Sequence, residues 1–309
     1  MRDSLDIDSI GELPDLSFCR DRPDAGLRSR FMEVIRGIGV SNVFNPSYYE
    51  SSSVRVFAFR AIPDGSRELV SFVSVENRSG RTLSRISPDL YPDIDAPRLI
   101  DPKVFTVGDE VYLTLNSGWV PSGKNDIFVM KVHPTMGEPK RMIYRARRNQ
   151  ERNWSFFSER GEVYAIYQIA PLVILKLEKD SGDAWWLTDY YRQARSCVPH
   201  DLTLGTQPSR YGSRYYFMAH RKYLLRRKRV YLGRLCALDL GKAAVTLGDS
   251  WIAHSPESLL GSEVKHNTNL FSCTYFSGLQ ASGAGINLGY GVNDVDFGFS
   301  TYGLGELLR

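Results

Sequence analysis

Long hydrophobic runs are missing from this sequence of 309 residues. No apolar stretch approaches the roughly 18 residues that a membrane-crossing helix needs, so we expect no membrane span. The acidic, polar N-terminal stretch MRDSLDIDSIGELPD contains no apolar segment of the kind that a secretory signal peptide needs. The sequence therefore predicts a cytoplasmic location.

Cysteine is also scarce, and the four cysteines form no CxxC pair. Because Cys19, Cys197, Cys236 and Cys273 are far apart in the chain, we expect separate reduced thiols rather than a disulfide framework or a metal site. P-loop, GxGxxG, HExxH and GxSxG motifs are absent as well. These absences leave no positive support for a metal-dependent or serine-nucleophile enzyme, and we expect no bound metal.

Neither charge dominates, since the net charge is only +4. The positive residues are concentrated in two regions, residues 141–152 and residues 221–229. Such runs are usually solvated faces, but they can also attract phosphate, a sugar nucleotide, an anionic glycan, nucleic acid or a membrane surface. We expect no nucleic-acid partner, while contact of the basic surface with an anionic membrane or glycan stays open.

Helical periodicity is restricted to residues 25–38 (AGLRSRFMEVIRGI), which end in a glycine-rich stretch. We therefore expect residues 1–40 to form a lead-in with one short helix that packs against the rest. Residues 41–309 alternate β-branched or aromatic runs with Gly, Pro and Asp turns, and the aromatic content of 12% favours an all-β fold. Two polar segments, residues 76–97 and 179–200, are predicted to be connections.

Residues 96–115 (APRLIDPKVFTVGDEVYLTL) show a unit that recurs along the chain: a polar first residue, a strand, a Gly/Asp turn and an aromatic-rich strand. No helical stretches alternate with these strands, which argues against βαβ folds. The spacing of the units is roughly 50–60 residues, as in propeller blades of about four strands. We predict a five-bladed β-propeller, with a β-sandwich as the alternative. The units begin near Asn45, Asp101, Asn153, Thr206 and Asn269.

Polar residues at the starts of the blades would meet at one mouth of the central channel. Asp101, directly before Pro102, is the candidate catalytic acid, because a buried carboxyl can protonate a departing glycosidic oxygen. Arg60 lies inside an apolar strand, where a charge needs a partner or a cavity. The expected pocket contains Asn45, Arg60, Asp101, Arg152, Asn153, Trp154, His220 and Asp294.

These residues also have purely structural explanations. An Asp before a Pro often starts a turn, and Asp294 in YGVNDVDF fits a hairpin turn, with Asp296 as the neighbouring alternative. His220 follows an aromatic strand and is more often a satisfied structural histidine than a ligand. Trp154 suits the core as well as a sugar-stacking face.

Short motifs resemble those of glycoside hydrolase family 130, the five-bladed propeller enzymes that act on β-mannosides. The resemblance runs from about Asn42 to the C-terminus, and it implies that Asp101 is the catalytic acid and that Arg60 binds sugar. It also implies that His220 helps to hold phosphate and that Asp294 binds substrate. The motifs are Asn45-Pro46, FAFRA (57–61), IDPKVF (100–105), Arg152-Asn153-Trp154, FMAH (217–220) and YGVND (290–294).

Two positions depart from the family, because Ile100 and Lys103 stand where the motif has Glu and Arg. The resemblance implies no cofactor and three possible reactions: phosphorolysis with inorganic phosphate, hydrolysis, or transfer from a sugar nucleotide. Phosphorolysis needs cations, which Arg152 and His220 would supply together with Arg60.

A hydrolase needs a second acid, for which Glu76, Asp95 and Glu151 are candidates without a motif. We favour phosphate- or sugar-nucleotide-dependent transfer on an oligosaccharide or glycoside. A hydrolase and a non-catalytic propeller that binds a glycan or a protein are the alternatives.

Overall fold

The computed structural model describes residues 5–6, 22–118, 123–151, 153–225, 227–255, 265, 267–283 and 285–308. Most of its regular structure is β-strand, and the helices are α1 (Ala25–Ile35), α2 (Leu304–Leu307) and a 3-10 turn at Pro88–Leu90. The strands are β1 (Leu5–Asp6), β2 (Val40–Glu50), β3 (Val54–Pro63), β4 (Val70–Asn77), β5 (Gly80–Ile86), β6 (Ile100–Val107), β7 (Glu110–Asn116), β8 (Ile127–His133), β9 (Lys140–Ile143), β10 (Ser155–Glu159), β11 (Glu162–Ile169), β12 (Leu172–Asp180), β13 (Ala184–Arg192), β14 (Leu202–Leu204), β15 (Ser209–Tyr211), β16 (Arg214–Leu225), β17 (Lys228–Asp239), β18 (Ala244–Ile252), β19 (Leu270–Ser282), β20 (Gly285–Val292) and β21 (Asp296–Gly303).

These strands form five antiparallel blades in chain order. Blade 1 is β2–β5, blade 2 is β6–β9, blade 3 is β10–β13, blade 4 is β14–β18 and blade 5 is β19–β21. Parallel pairs join neighbouring blades, with β9 beside β13 and β17 beside β19. The predicted five-bladed β-propeller is therefore confirmed, and the β-sandwich is excluded.

Two strands lie in segments that the sequence predicts to be connections. β5 falls within residues 76–97, and β13 falls within residues 179–200. Both predictions are wrong. β13 buries Trp185 and Leu187 and exposes Trp186, an alternation that the polar residues around it obscure. β5 is an outer strand whose side chains are largely exposed. A strand with no buried face shows no alternation of apolar and polar residues.

The predicted short helix is confirmed as α1, and it covers the seam between the first and last blades. Asp24 caps its N-terminus by accepting a hydrogen bond from the Leu27 amide at 2.8 Å. The buried ring of Phe31 contacts Phe57 of blade 1 and Phe299 of blade 5, with centroid distances of 5.2 and 5.5 Å. The helix therefore belongs to the packing of both blades.

The residues before α1 also pair with strands of the propeller. Pro23 forms a β-bridge with Ser300, and the Asp24 amide donates to the Phe299 carbonyl at 2.8 Å. β1 lies parallel to the end of β16. The segment predicted as a lead-in therefore extends two of the sheets.

The three described cysteines are free thiols: Cys197 is exposed, whereas Cys236 and Cys273 are buried. Cys19 lies outside the described residues. Over the same part of the chain, no group of three or more His, Cys, Asp or Glu side chains could hold a metal ion. None of the described helices is long and apolar enough to cross a membrane.

Candidate active site

Side chains of blades 1, 2, 4 and 5, together with residues just before blade 3, line one cavity of about 610 Å³. Six predicted residues line it: Asn45, Arg60, Asp101, Asn153, His220 and Asp294. Two other cavities, of about 510 and 550 Å³, contain none of the predicted residues. The shared cavity is therefore the candidate active site.

One predicted residue, Trp154, does not line this cavity. The Trp154 ring is buried in the core of blade 3, 6.3 Å from the Phe156 ring by their centroids, and it offers no sugar-stacking face. Its indole Nε1 donates to the Glu151 carboxylate at 2.9 Å, which satisfies its only polar atom. Arg152 lies outside the described residues.

An Asx residue before a proline lies in the first strand of both blade 1 and blade 2. Asn45 and Asp101 have φ angles of 55° and 56°, in the left-handed region that non-glycine residues rarely adopt. At both positions the strand pairing shifts register, because the following proline has no N–H to donate to the ladder. These local irregularities place the two side chains at the cavity wall.

The carboxylate of Asp101 is held on both of its oxygens. Arg60 Nη1 donates to Oδ1 at 2.5 Å, and Asn116 Nδ2 donates to Oδ2 at 3.0 Å. Burial alone would raise the pKa of Asp101, but the charges of Arg60 and Lys103 and these hydrogen bonds hold it below its usual value. Asp101 is therefore ionised at neutral pH, and its side chain is still 18% exposed.

Lys103 lies behind the cavity wall with 2% exposure. Its ammonium donates to the Gly205 carbonyl and lies 5.2 Å from the centroid of the Tyr275 ring. Burial lowers the pKa of Lys103 to about 7, although the Asp101 charge acts in the opposite direction. Sequence reasoning noted Lys103 only as a departure from the family, but a lysine inside an apolar strand is itself unusual.

His220 lines the cavity as a neutral imidazole. The Phe276 amide donates to its Nε2 at 2.7 Å, so the ring proton belongs on Nδ1. Burial, with a smaller effect of the Lys103 charge, lowers the pKa of His220 to about 3. His220 therefore offers a hydrogen bond and not the positive charge that the sequence-based prediction needed for phosphate.

Tyr275 is a cavity residue that sequence reasoning missed. Its ring stacks on His220 with the centroids 4.7 Å apart, and its hydroxyl accepts a hydrogen bond from Asn153 Nδ2 at 2.7 Å. Burial, reinforced by the Asp101 charge, raises the pKa of Tyr275 well above its ordinary value. It lies within an aromatic-rich strand, so nothing in its local sequence distinguishes it from a core residue.

Glu151 is the second buried carboxylate at the cavity, and its oxygens are occupied. Oε1 accepts from the Arg148 amide at 2.5 Å and from the Tyr167 hydroxyl at 3.0 Å, while Oε2 accepts from Trp154. The other two candidates for a second acid, Glu76 and Asp95, do not line the cavity. Glu151 is therefore better placed to hold blade 3 than to activate water.

Asp294 enters the cavity from the turn between β20 and β21. Asn293 and Asp294 have φ angles of 53° and 58°, as the central residues of a type I′ turn require, so the predicted hairpin turn is confirmed. The neighbouring strand passes close to Asn45: a Cβ on Gly291 would lie 1.9 Å from its Oδ1. This approach brings blade 5 and blade 1 together at the site, and Asp296 does not line it.

Comparisons with known proteins agree with this fold. The chain is similar to a structure from glycoside hydrolase family 130, a family of mannoside phosphorylases that contains glycoside hydrolases targeting β-1,2-mannosidic linkages in Candida mannan. The identity is 14% and the TM-score is 0.61, with coverage of 95% of this chain and 96% of that one. It is also similar to the β-1,2-mannobiose phosphorylase of Listeria innocua (13% identity, TM-score 0.58, coverage 88% and 93%). A glycosyl hydrolase from Bacteroides ovatus shows 13% identity, a TM-score of 0.59, and coverage of 95% and 96%.

No family model matches the sequence, and no curated protein is significantly similar to it. At identities of 13–14% the likeness shows a shared fold. The resemblance to glycoside hydrolase family 130 is thus confirmed at the level of the fold. Activity and substrate have to be argued from the cavity itself.

Proposed function

We propose that this protein makes or breaks a glycosidic bond, with transfer to or from phosphate or a sugar nucleotide. The observation that carries the proposal is the Asp101 carboxylate, oriented by Arg60 and Asn116 in a cavity lined with polar side chains. The neighbours of the same fold are named as glycoside hydrolases and mannoside phosphorylases, which supports a glycoside as substrate.

Asp101 serves as the acid in bond cleavage and as the base in bond formation. In phosphorolysis a phosphate oxygen bonds to the anomeric carbon while the glycosidic C–O bond breaks, and Asp101 gives its proton to the departing oxygen, directly or through a sugar hydroxyl. In synthesis an acceptor hydroxyl gives its proton to Asp101 as its oxygen attacks the anomeric carbon, and phosphate or the nucleoside diphosphate leaves. The ionised state of Asp101 in the free protein suits the synthetic direction.

Two polar atoms beside Asp101 have no hydrogen-bond partner among the described residues. They are Asn45 Oδ1, an acceptor, and Arg60 Nε, a donor. Both residues line the cavity, as do Asn153 and Asp294, and amide, guanidinium and carboxylate groups are suitable hydrogen-bond partners for sugar hydroxyls. We assign these four residues to substrate binding.

We assign both neutral and charged side chains to binding of the anionic co-substrate. His220 contributes the N–H of Nδ1, and Arg152 is proposed to contribute charge from the start of blade 3. Tyr275 stays a neutral phenol beside both His220 and Asn153 and can donate to a sugar or phosphate oxygen. No bound cofactor is needed for these steps.

Replacing Asp101 tests the catalytic assignment. The Asp101→Asn variant keeps the size of the side chain and removes its proton-transfer group, so we expect turnover to fall by about 10²- to 10⁴-fold. Asp109→Asn, in the exposed turn of the same hairpin, is the matched control and should be unaffected. Full turnover by purified Asp101→Asn on the true substrate would rule out the assignment.

Product analysis distinguishes the reactions. The protein is incubated with β-mannosides and other β-glycosides, with and without phosphate, and with sugar nucleotides plus an acceptor. We expect either a sugar 1-phosphate that forms only with phosphate, or a glycoside and a nucleoside diphosphate. Free sugar released equally with and without phosphate would instead identify a hydrolase and contradict the proposal.

A further inference from the structure

A second charged region of the cavity comes from the hairpin β16–β17, in the basic stretch that the family resemblance does not explain. Lys222 of β16 and Arg229 of β17 both line the cavity. In the register of the hairpin, Lys222 is opposite Tyr231 and Arg229 is opposite Leu224. Side chains directly opposite each other share a face, and residues two apart on one strand share it too. Lys222 and Arg229 therefore lie diagonally on one face.

The same face continues into the deeper part of the site. His220 precedes Lys222 by two residues on β16 and is opposite Gly233. Four residues of the face line the cavity: His220, Lys222, Arg229 and Tyr231. The other face of the hairpin belongs to the core, where Tyr223, Val230 and Leu232 are buried. The alternation thus places Lys222 and Arg229 on the cavity side, while the opposite face packs into the core and carries Arg221 in an ion pair with Asp201.

The carboxylates around the cavity are distributed unevenly among the blades. Asp101 is paired with Arg60 between blades 1 and 2, and the Glu151 oxygens are occupied at the start of blade 3. Among the described residues on the side of blades 4 and 5, the cavity is lined by Lys222, Arg229 and the carboxylate of Asp294. The Asp294 charge raises the pKa of the buried Cys273 thiol and the Arg229 charge lowers it, so both side chains lie near this thiol. The described lining on this side therefore has two cationic side chains and one anionic side chain.

We propose that Lys222 and Arg229 form a phosphoryl-binding subsite on the blade 4 side of the cavity, across from the Asp101–Arg60 pair. The inference rests on the proposed function and names the part of the site that takes the anionic co-substrate. A lysine and an arginine that converge on one cavity suit phosphate oxygens, because hydrogen bonds from cations to a phosphoryl group are charge-assisted. A sugar then lies between the phosphoryl group and Asp101.

The phosphoryl group can belong to inorganic phosphate or to the diphosphate of a sugar nucleotide. Calorimetric titration of the purified protein with inorganic phosphate, uridine diphosphate and guanosine diphosphate separates these sources. Binding of phosphate alone identifies a phosphorolytic site, whereas preference for one of the diphosphates identifies a nucleotide-sugar donor site. Binding should weaken as salt is added, because the contacts are ionic.

Variants of the hairpin provide the decisive comparison. Lys222→Met and Arg229→Met should each weaken binding of the favoured probe by about tenfold or more, the loss expected for a charge-assisted hydrogen bond. Lys228→Met is the matched control, because it removes the same charge from the same hairpin. Lys228 is exposed and does not line the cavity. It should change affinity by less than about twofold. Circular dichroism checks that each variant is folded.

The subsite and the proposed function can fail separately. Asp101→Asn should lose turnover and keep its affinity for the anion. If none of the three probes binds the wild type, or if Lys228→Met weakens binding as much as Arg229→Met, the subsite is wrong even where turnover is normal. If no glycoside is turned over but Lys222→Met and Arg229→Met lose anion affinity selectively, the subsite stands and the proposed reaction is wrong.

Discussion

The charges of three neighbouring residues interact: Asp101 and Arg60 line the cavity, and Lys103 lies buried behind its wall. Arg60 is bonded directly to the Asp101 carboxylate, while Lys103 acts on it through space from a buried position. Removing Arg60 would therefore break a hydrogen bond as well as a charge pair. Replacing Lys103 instead changes the charge near Asp101 and leaves the hydrogen bonds from Arg60 and Asn116 to the Asp101 carboxylate in place.

Replacing Lys103 should shift the pH dependence of catalysis. In Lys103→Met the carboxylate loses a nearby positive charge, so the pKa of Asp101 rises toward its usual value. The limb of the pH–rate profile set by Asp101 should therefore move to higher pH in either reaction direction. Lys103→Arg, which keeps the charge, is the control. Identical profiles for Lys103→Met and the wild type would show that Lys103 does not influence Asp101.

The same substitution should alter how stability depends on pH. The pKa of Lys103 is about 7 in the folded protein and about 10.5 in the unfolded chain, so the unfolded state binds more protons between these values. Stability should therefore rise with pH from about 7 to 10 in the wild type, and Lys103→Met should lack this part of the rise. Urea unfolding at pH 6, 8 and 10 measures the difference, and parallel curves would contradict the assignment.

At this scale the sequence predicts the residues that sit in distinctive local patterns. Asp101 and Asn45 precede prolines, Asp294 lies in a turn, and Arg60 interrupts an apolar strand. Asn116 is recognisable only when the register places it opposite Ile100, beside Asp101. Contacts that arise from strand pairing are not visible in the local sequence, so residues such as Asn116 could not be predicted.

The hairpin β16–β17 shows how an element delivers residues to the site. Gly233 lies opposite His220, and a Cβ there would come within 2.1 Å of the Phe276 ring. Phe276 is the residue whose amide holds His220 Nε2. The glycine therefore allows β19 to approach the hairpin closely enough to fix the imidazole.

Gly233→Ala should destabilise this element. The added methyl overlaps the Phe276 ring, and overpacking of this kind costs about 1–3 kcal/mol. Gly241→Ala, in the turn that follows the hairpin, is the control, because the nearest atom to its Cβ is Asp239 Oδ1 at 3.6 Å. Urea unfolding should place the Gly233→Ala midpoint well below both the wild type and Gly241→Ala. Equal urea midpoints for Gly233→Ala and Gly241→Ala would show that β17 and β19 move apart to fit the methyl group without a loss of stability.

Most elements with a buried face were predictable, β13 being the exception, and β5 was missed because it is exposed almost throughout. The inner and middle strands carry alternating or continuous apolar residues, whereas β5 is exposed along most of its length. Its place in the blade is set by hydrogen bonds to β4, which are backbone bonds that any residue except proline can form. The failure to predict β5 therefore reflects the exposure of an outer edge strand and not an unusual sequence.

The whole molecule depends on closure of the ring between blade 5 and blade 1. Backbone pairing of residues 22–24 with β21 and the packing of α1 both act at this seam. The seam also affects the cavity, because Asn45 on the first strand of blade 1 and Asp294 in the last turn of blade 5 both line it. Loosening the seam should therefore disturb substrate binding as well as stability.

Phe31→Ala should reduce both the stability of the protein and its substrate binding. The Phe31 ring is fully buried between Phe57 of blade 1 and Phe299 of blade 5, so its loss should cost about 3–5 kcal/mol. Met32→Ala is the control, since Met32 is 43% exposed on the same helix and a surface change there should stay within about 0.5 kcal/mol. Urea unfolding measures both changes, and steady-state kinetics should show a higher KM for Phe31→Ala. If Phe31→Ala were as stable as Met32→Ala, α1 would not hold blades 1 and 5 together. The apolar contacts that join the two blades would then lie elsewhere.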